Sequence, residues 1–132
     1  MESEEPLPVT AMKRYWYHLE RDEFREAADQ FTEDTMYLHP PMHKGISEVY
    51  GREELYDYFV NARGPRESSH EVTHYVSDGT SAVIQGRVFG PDVDVPHVFM
   101  VYTEVRDGKI AYYSAVNRDE TESERVVEDS LG

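Results

Sequence analysis

The hydrophobic pattern of this chain settles into a period of two at Glu71, and that change bounds the fold. From Glu71 onward, apolar residues recur at every second position. Glu71–Val76 and Ser81–Phe89 flank Asp78-Gly79, and Val95–Val105 and Lys109–Asn117 flank Asp107-Gly108. Asp-Gly between alternating runs is a hairpin signal, because the tightest hairpin turns require positive φ, which glycine adopts without a steric penalty. The second half therefore reads as four strands in two hairpins.

Before Glu71 the period is helical. Val9, Met12, Trp16 and Leu19 form one stripe, and Phe24, Ala27, Ala28 and Phe31 form a second. The polar run Glu20-Arg21-Asp22-Glu23 separates them, with Asp22 placed to cap the N-terminus of the second helix. Asp34 to His39 alternates as a strand, with Thr35, Tyr37 and His39 on one face and Met36 and Leu38 on the other. Pro40-Pro41 ends it, and residues 42–50 read as a loop. A third helix opens at Gly51-Arg52-Glu53-Glu54, buries Leu55, Phe59 and Ala62, and stops at Gly64-Pro65. Helices gathered in the first half and a mainly antiparallel sheet in the second make an α+β domain.

The 132 residues amount to one domain. Residues 1–8 read as a disordered acidic tail and 9–118 as the domain. Residues 119–132 read as a second acidic tail, with one helical turn around Arg125–Val127. Twenty-seven acids against 13 bases give a net charge of −14. Such a field repels nucleic-acid phosphate and anionic membranes. Lysine occurs only at 13, 44 and 109. An acidic, lysine-poor surface suits a salt-rich cytoplasm, where ionic strength screens self-repulsion, and points to a halophilic source. Cysteine is absent, which excludes disulfides, thiol nucleophiles and cysteine-ligated metals. No apolar run approaches the ~20 residues of a membrane span. The acidic start has no leader pattern, so a cytoplasmic location is expected.

Two stretches together carry a family resemblance. The first runs Lys13-Arg14-Tyr15-Trp16-Tyr17, Asp22, Phe31-Thr32-Glu33-Asp34-Thr35-Met36-Tyr37-Leu38-His39-Pro40, then Gly51-Arg52-Glu53. The second is Arg106-Asp107-Gly108-Lys109-Ile110, then Tyr113-Ser114-Ala115-Val116-Asn117. The order and spacing resemble the ketosteroid-isomerase-like, polyketide-cyclase-like (SnoaL-like) proteins of the nuclear transport factor 2-like superfamily. The resemblance implies a cone: a strongly curved, mainly antiparallel sheet wrapped around three N-terminal-half helices, with a pocket. It also implies a homodimer.

In ketosteroid isomerases an Asp base works opposite a tyrosine and a protonated Asp that bind the oxyanion. On that pattern Tyr15 matches the oxyanion tyrosine and His39 the base. Val101 matches the protonated acid, which is thus lost. Imidazole exchanges protons near neutral pH, so His39 suits a general base. A structural histidine at a strand end is the alternative. His97, which shares a strand face with Phe99 and Val101, would pair with it as acid. A rim histidine after Pro96 is the alternative. Tyr37 shares the His39 face. Tyr113 and Asn117 share one face of the last strand. Arg87, if inward, would select an anionic substrate, whereas outward it is an ordinary ion-pair partner. Trp16 and Phe59 complete the expected ligand-lining set.

His70-Glu71-Val72-Thr73-His74 spells the zinc-protease signature. That chemistry needs a helix, whereas β-branched and aromatic neighbours favour a strand, which parts the two histidines by ~13 Å. His39 and His43 span a Pro-Pro loop and make no better ligand pair. Asp92 and Asp94 read as a solvated loop. No metal and no cofactor is expected. The expected function is a small-molecule pocket protein. It acts as an isomerase, cyclase or dehydratase by general acid–base catalysis on a cyclic or polyketide-like compound, its partner being a small hydrophobic molecule. The alternative is a non-catalytic ligand-binding or dimerisation module of the same fold.

Overall fold

The computed structural model describes residues 4–124. Most of the expected C-terminal tail, including the turn around Arg125–Val127, lies outside the described residues, as do residues 1–3. Helix α1 spans Leu7–Glu20, so Leu7 and Pro8 open a helix instead of ending a tail. Proline fits there because the first-turn N–H groups have no intrahelical acceptor. Helix α2 (Phe24–Ala28), strand β1 (Phe31–Leu38), a 3₁₀ turn (His43–Gly45) and strand β2 (Glu48–Tyr50) follow. Helix α3 (Arg52–Asp57) then widens into a π-helical segment, Tyr58–Arg63. Strands β3 (Ser69–Ser77), β4 (Ser81–Phe89), β5 (His97–Arg106) and β6 (Lys109–Asp119) complete the chain.

The sheet order is β2-β1-β6-β5-β4-β3, and only the β1–β6 pair is parallel. This is the α+β cone expected from the sequence: a curved, mainly antiparallel sheet closing around the helices. Helix α1 lies across β3, β4, β5 and β6 and buries Val9, Met12, Tyr15, Trp16 and Leu19 against them. The predicted stripe of Val9, Met12, Trp16 and Leu19 is thus buried, and Tyr15 joins it. Both Asp-Gly turns form. Asp107 and Gly108 both have positive φ (54° and 79°), as the tightest hairpin turn demands.

Three local expectations are corrected. Asp22 does not cap the second helix, which has no side-chain cap. It takes a left-handed conformation (φ 58°) at the C-terminus of the first. The Glu23 N–H donates to the His18 carbonyl and the Asp22 N–H to Leu19, which is the Schellman arrangement. Phe31 is not helical but opens β1, opposite Ile110, because the Ile110 N–H donates to the Gln30 carbonyl and draws the chain into the sheet. The segment predicted as a loop contains β2, whose three residues are too few to show a period. It pairs antiparallel with the end of β1 (Leu38 with Glu48) and extends the sheet beside His39.

Candidate functional site

A cavity of about 90 Å³ opens between α1, the end of β1, the π-helical segment and the inner face of β5 and β6. One buried water takes roughly 10–15 Å³ by this measure, so the space suits a small molecule. Its floor is aromatic. Tyr15 and Tyr37 are almost fully buried, and their hydroxyls share a hydrogen bond of 2.6 Å. Tyr37 stacks on Tyr113 at 4.2 Å between centroids and 14° between planes. Phe59 lies stacked 5.9 Å from Tyr15. Burial pushes the phenols of Tyr15, Tyr37 and Tyr113 up, Tyr113 to about 12. Each is therefore a proton-bearing donor at neutral pH. One hydroxyl of the Tyr15–Tyr37 pair donates to the other, and Tyr37 also bonds the Tyr113 hydroxyl, so two of the three O–H groups are used and one is left for a ligand oxygen.

His39 follows the last residue of β1, held extended by the proline after it. Its Nδ1 lies 2.7 Å from the Pro40 carbonyl, which only accepts, so Nδ1 carries the proton. Nε2 then presents its lone pair, and the Tyr58 hydroxyl donates to it at 3.0 Å. Burial holds the His39 pKa below the ordinary histidine value, opposed by the bond to Pro40. The ring is thus neutral, with a fixed tautomer, and basic toward the cavity. Tyr58 is raised by burial and keeps its proton.

A second imidazole sits on the α1 side. His70 stacks on Trp16 at 5.3 Å and 11°. Its backbone N–H and its Nδ1–H both donate to one Glu20 carboxylate oxygen, at 2.5 and 3.0 Å. Its Nε2 has no protein partner among the described residues. Burial lowers its pKa, against the pull of Glu20, so this is a hydrogen bond from a neutral ring.

Of the residues singled out by sequence, His39, Tyr15 and His97 line this one cavity, together with Trp16, Tyr37, Phe99, Tyr113 and Asn117. Three do not. Phe59 is fully buried behind Tyr15 and does not reach the wall. Val101 is fully buried in the sheet, opposite Ile84 and Ala115. Arg87 faces away: Ala82, Ile84, Gly86 and Val88 form the buried face of β4, and Arg87 alternates with them. Its Nε donates to Glu120 at 2.8 Å, and Glu71 is its neighbour across the β3–β4 pair. His70 and His74 lie on strand β3, as the β-branched neighbours indicated, and His74 is exposed.

Sequence reasoning missed Tyr58, His43, Arg63, Arg66 and His70 as cavity residues. Four of them sit at the ends of elements or in loops, where no period signals a face. Tyr58 precedes the predicted core position Phe59, and the wider π-helical turn brings both inward.

Residues 12–113 match the SnoaL-like domain family. Among solved structures, an LEH-like epoxide hydrolase of M. tuberculosis superposes with a TM-score of 0.67 at 15% identity, covering 83% of this chain and 81% of that one. A ketosteroid isomerase-like protein of Erwinia carotovora atroseptica gives 0.65 at 13% identity, covering 86% and 95%. A protein provisionally named a polyketide cyclase, from Sinorhizobium meliloti, gives 0.65 at 16%, covering 80% and 93%. Likenesses at these identities show the fold and not the chemistry. No curated protein matches this chain in sequence. Among the described residues, no helix is long and apolar enough to cross a membrane.

Proposed function

Because the chain belongs to the SnoaL-like domain family, we propose that it is a small-molecule enzyme of the isomerase, cyclase or dehydratase kind, working by general acid–base catalysis without a cofactor. Its substrate is a cyclic or polyketide-like compound carrying a carbonyl or hydroxyl. One observation carries this reading: His39 is neutral, locked in one tautomer, and turned by Nε2 toward a cavity that also holds a spare phenolic donor.

The chemistry follows from those atoms. A substrate C–H or O–H gives its proton to Nε2 through the Tyr58 hydroxyl, which passes its own proton to Nε2 and takes the substrate's. The electron pair moves to the substrate oxygen. The remaining O–H of the Tyr15–Tyr37–Tyr113 cluster donates to that oxygen, and the bonds within the cluster polarise the donor further. The proton returns from the His39 imidazolium to another atom, or leaves with a hydroxyl as water. General acid–base catalysis of this kind contributes about 10²–10⁴-fold.

The test is an NMR titration of the histidines, in wild type and His39→Gln, with and without small cyclic ketones and enols. The expected result is a His39 pKa below ~6.5 that moves again on ligand addition. A His39 that titrates like free imidazole and ignores every ligand would overturn the proposal.

The cavity's small volume favours one second reading, a ligand-binding or dimerisation module whose pocket is largely filled by its own aromatic side chains. Ligand pockets usually reach roughly 300–1,000 Å³. In either reading the protein is proposed to be a homodimer that covers Val83, Met100 and Tyr102 on the outer sheet face, all exposed here. Light scattering on the purified protein tests that.

A further inference from the structure

The cavity's charge is opposite to that of the molecule around it. The chain carries 27 acids and 13 bases. Yet two arginines and four histidines line the cavity, and no carboxylate among the described residues does. Three arginines outside the cavity are fully matched: Arg25 takes both oxygens of Glu53, Arg118 both oxygens of Glu124, and Arg87 both oxygens of Glu120. Arg63 and Arg66 are not matched in this way.

The Arg63 side chain is only 6% exposed. Its Nη1 donates to the Gly64 carbonyl at 3.0 Å and its Nη2 to the Ser68 hydroxyl at 3.4 Å. Its nearest carboxylate is Asp22, at 3.8 Å, which also accepts the Arg66 backbone N–H. Arg66 donates one Nη2 bond to the Asp92 carbonyl, at 3.3 Å. Among the described residues, its Nε is buried with no acceptor and no carboxylate forms an ion pair with it. Other acids approach from outside the cavity: Glu20 is engaged by His70, and Asp119 stands across from His97 in the sheet. The two guanidinium charges are also felt inside. They help burial hold His43 at about 4, and Arg66 depresses His97.

Two part-buried guanidinium groups with unfilled donors, in a cavity without acids, form a receptor for a planar anion. Resting on the small-molecule reading above, we propose that the ligand is a small cyclic carboxylate whose carboxylate is held by Arg66 and Arg63, leaving its ring against Trp16, Phe99 and Tyr113. The volume, roughly that of six to nine waters, suits a single-ring acid. Selection of anions, open to Arg87 only had it faced inward, is thus assigned to a different pair.

The test uses benzoate and its neutral isostere benzamide, titrated into the full chain by NMR. Wild type, Arg66→Gln and Arg66→Lys are compared, with backbone spectra confirming that each variant is folded. The expected result is benzoate binding at least about tenfold tighter than benzamide. That preference is lost in Arg66→Gln and partly kept in Arg66→Lys. Benzoate also shifts the His43 and His97 titrations to higher pH, since an anion offsets the guanidinium repulsion. Equal binding of both probes, or a preference untouched by Arg66→Gln, overturns the anion site and leaves the acid–base reading standing. Binding of neither probe also overturns it. The cyclic-ketone titration of His39 then reports separately on the wider reading.

Discussion

The hydroxyls of Tyr15 and Tyr37 lie 2.6 Å apart although the residues come from different elements, the first helix and the first strand. Both oxygens are buried, so each is the other's main substitute for water. A single Tyr→Phe change leaves one phenol without its partner, which costs about 1–2 kcal/mol. Removing both hydroxyls leaves neither member of the pair unsatisfied. We expect Tyr15→Phe and Tyr37→Phe each to lower stability by that amount, and the double variant to lose clearly less than their sum. Urea unfolding of the four proteins measures this cycle. Strict additivity would show that the bond is not an energetic unit.

The inner sheet face tolerates little at Gly86. A Cβ there would meet the Glu71 carbonyl oxygen at 2.4 Å and the Phe99 ring at 2.5 Å. The carbonyl belongs to the adjoining strand and cannot step aside, while Phe99 forms part of the cavity wall. Gly86→Ala should therefore destabilise by about 1–3 kcal/mol and perturb the cavity resonances as well. Thermal unfolding together with the Trp16 indole signal, 5.1 Å from Phe99 by ring centroids, checks both. A variant as stable as wild type would show that β3 shifts at little cost.

The sequence revealed the periodic parts and concealed the singular ones. Helix α1 and both Asp-Gly hairpins were legible because burial repeats along them. Asp22 was misread because a helix N-cap and a Schellman C′ residue favour the same small polar side chain, and only the backbone tells them apart. Arg87 shows the limit of alternation. A period of two separates the faces of β4 but does not say which face is buried, and the burial of Gly86 settles it. Arg63 and Arg66 flank Gly64-Pro65, a helix stop and loop where no face is defined. Their meeting with His39 depends on β1 and the π-helical turn converging, and no local pattern encodes that.

On the far side of β4, Arg87 and Glu120 form a buried pair, with side chains 12% and 4% exposed. Breaking such a pair strands one charge, which typically costs 3–5 kcal/mol, whereas replacing both members by apolar groups is often close to neutral. Glu120→Gln should cost about 2–4 kcal/mol, somewhat less than a full deletion because the amide can still accept a hydrogen bond. Arg87→Met combined with Glu120→Leu should be more stable than Glu120→Gln alone. Denaturant midpoints compare them. The benzoate preference should persist in Glu120→Gln wherever the protein remains folded, because this arginine faces away from the cavity.

Four buried or half-buried histidines make the fold sensitive to mild acid. His39, His43, His70 and His97 all lie below the ordinary histidine range, chiefly through burial, and His43 reaches about 4. In the unfolded chain each protonates near ~6.5. Between pH ~6.5 and 4 the unfolded state therefore binds more protons than the folded state, and stability falls as pH falls. Above ~6.5 both states hold these rings neutral and the contribution is complete. Urea midpoints should be flat from pH 8 to 7 and drop from 6.5 to 5, a window above the ordinary carboxylate range. Molar KCl throughout keeps the changing self-repulsion of an acidic chain small. His43→Asn should flatten the slope by less than about 1 kcal/mol per pH unit, since solvent screens a ring that is only half-buried. An unchanged slope in that variant would mean that His43 titrates alike in both states, and that the cationic wall around it is weaker than the two arginines imply.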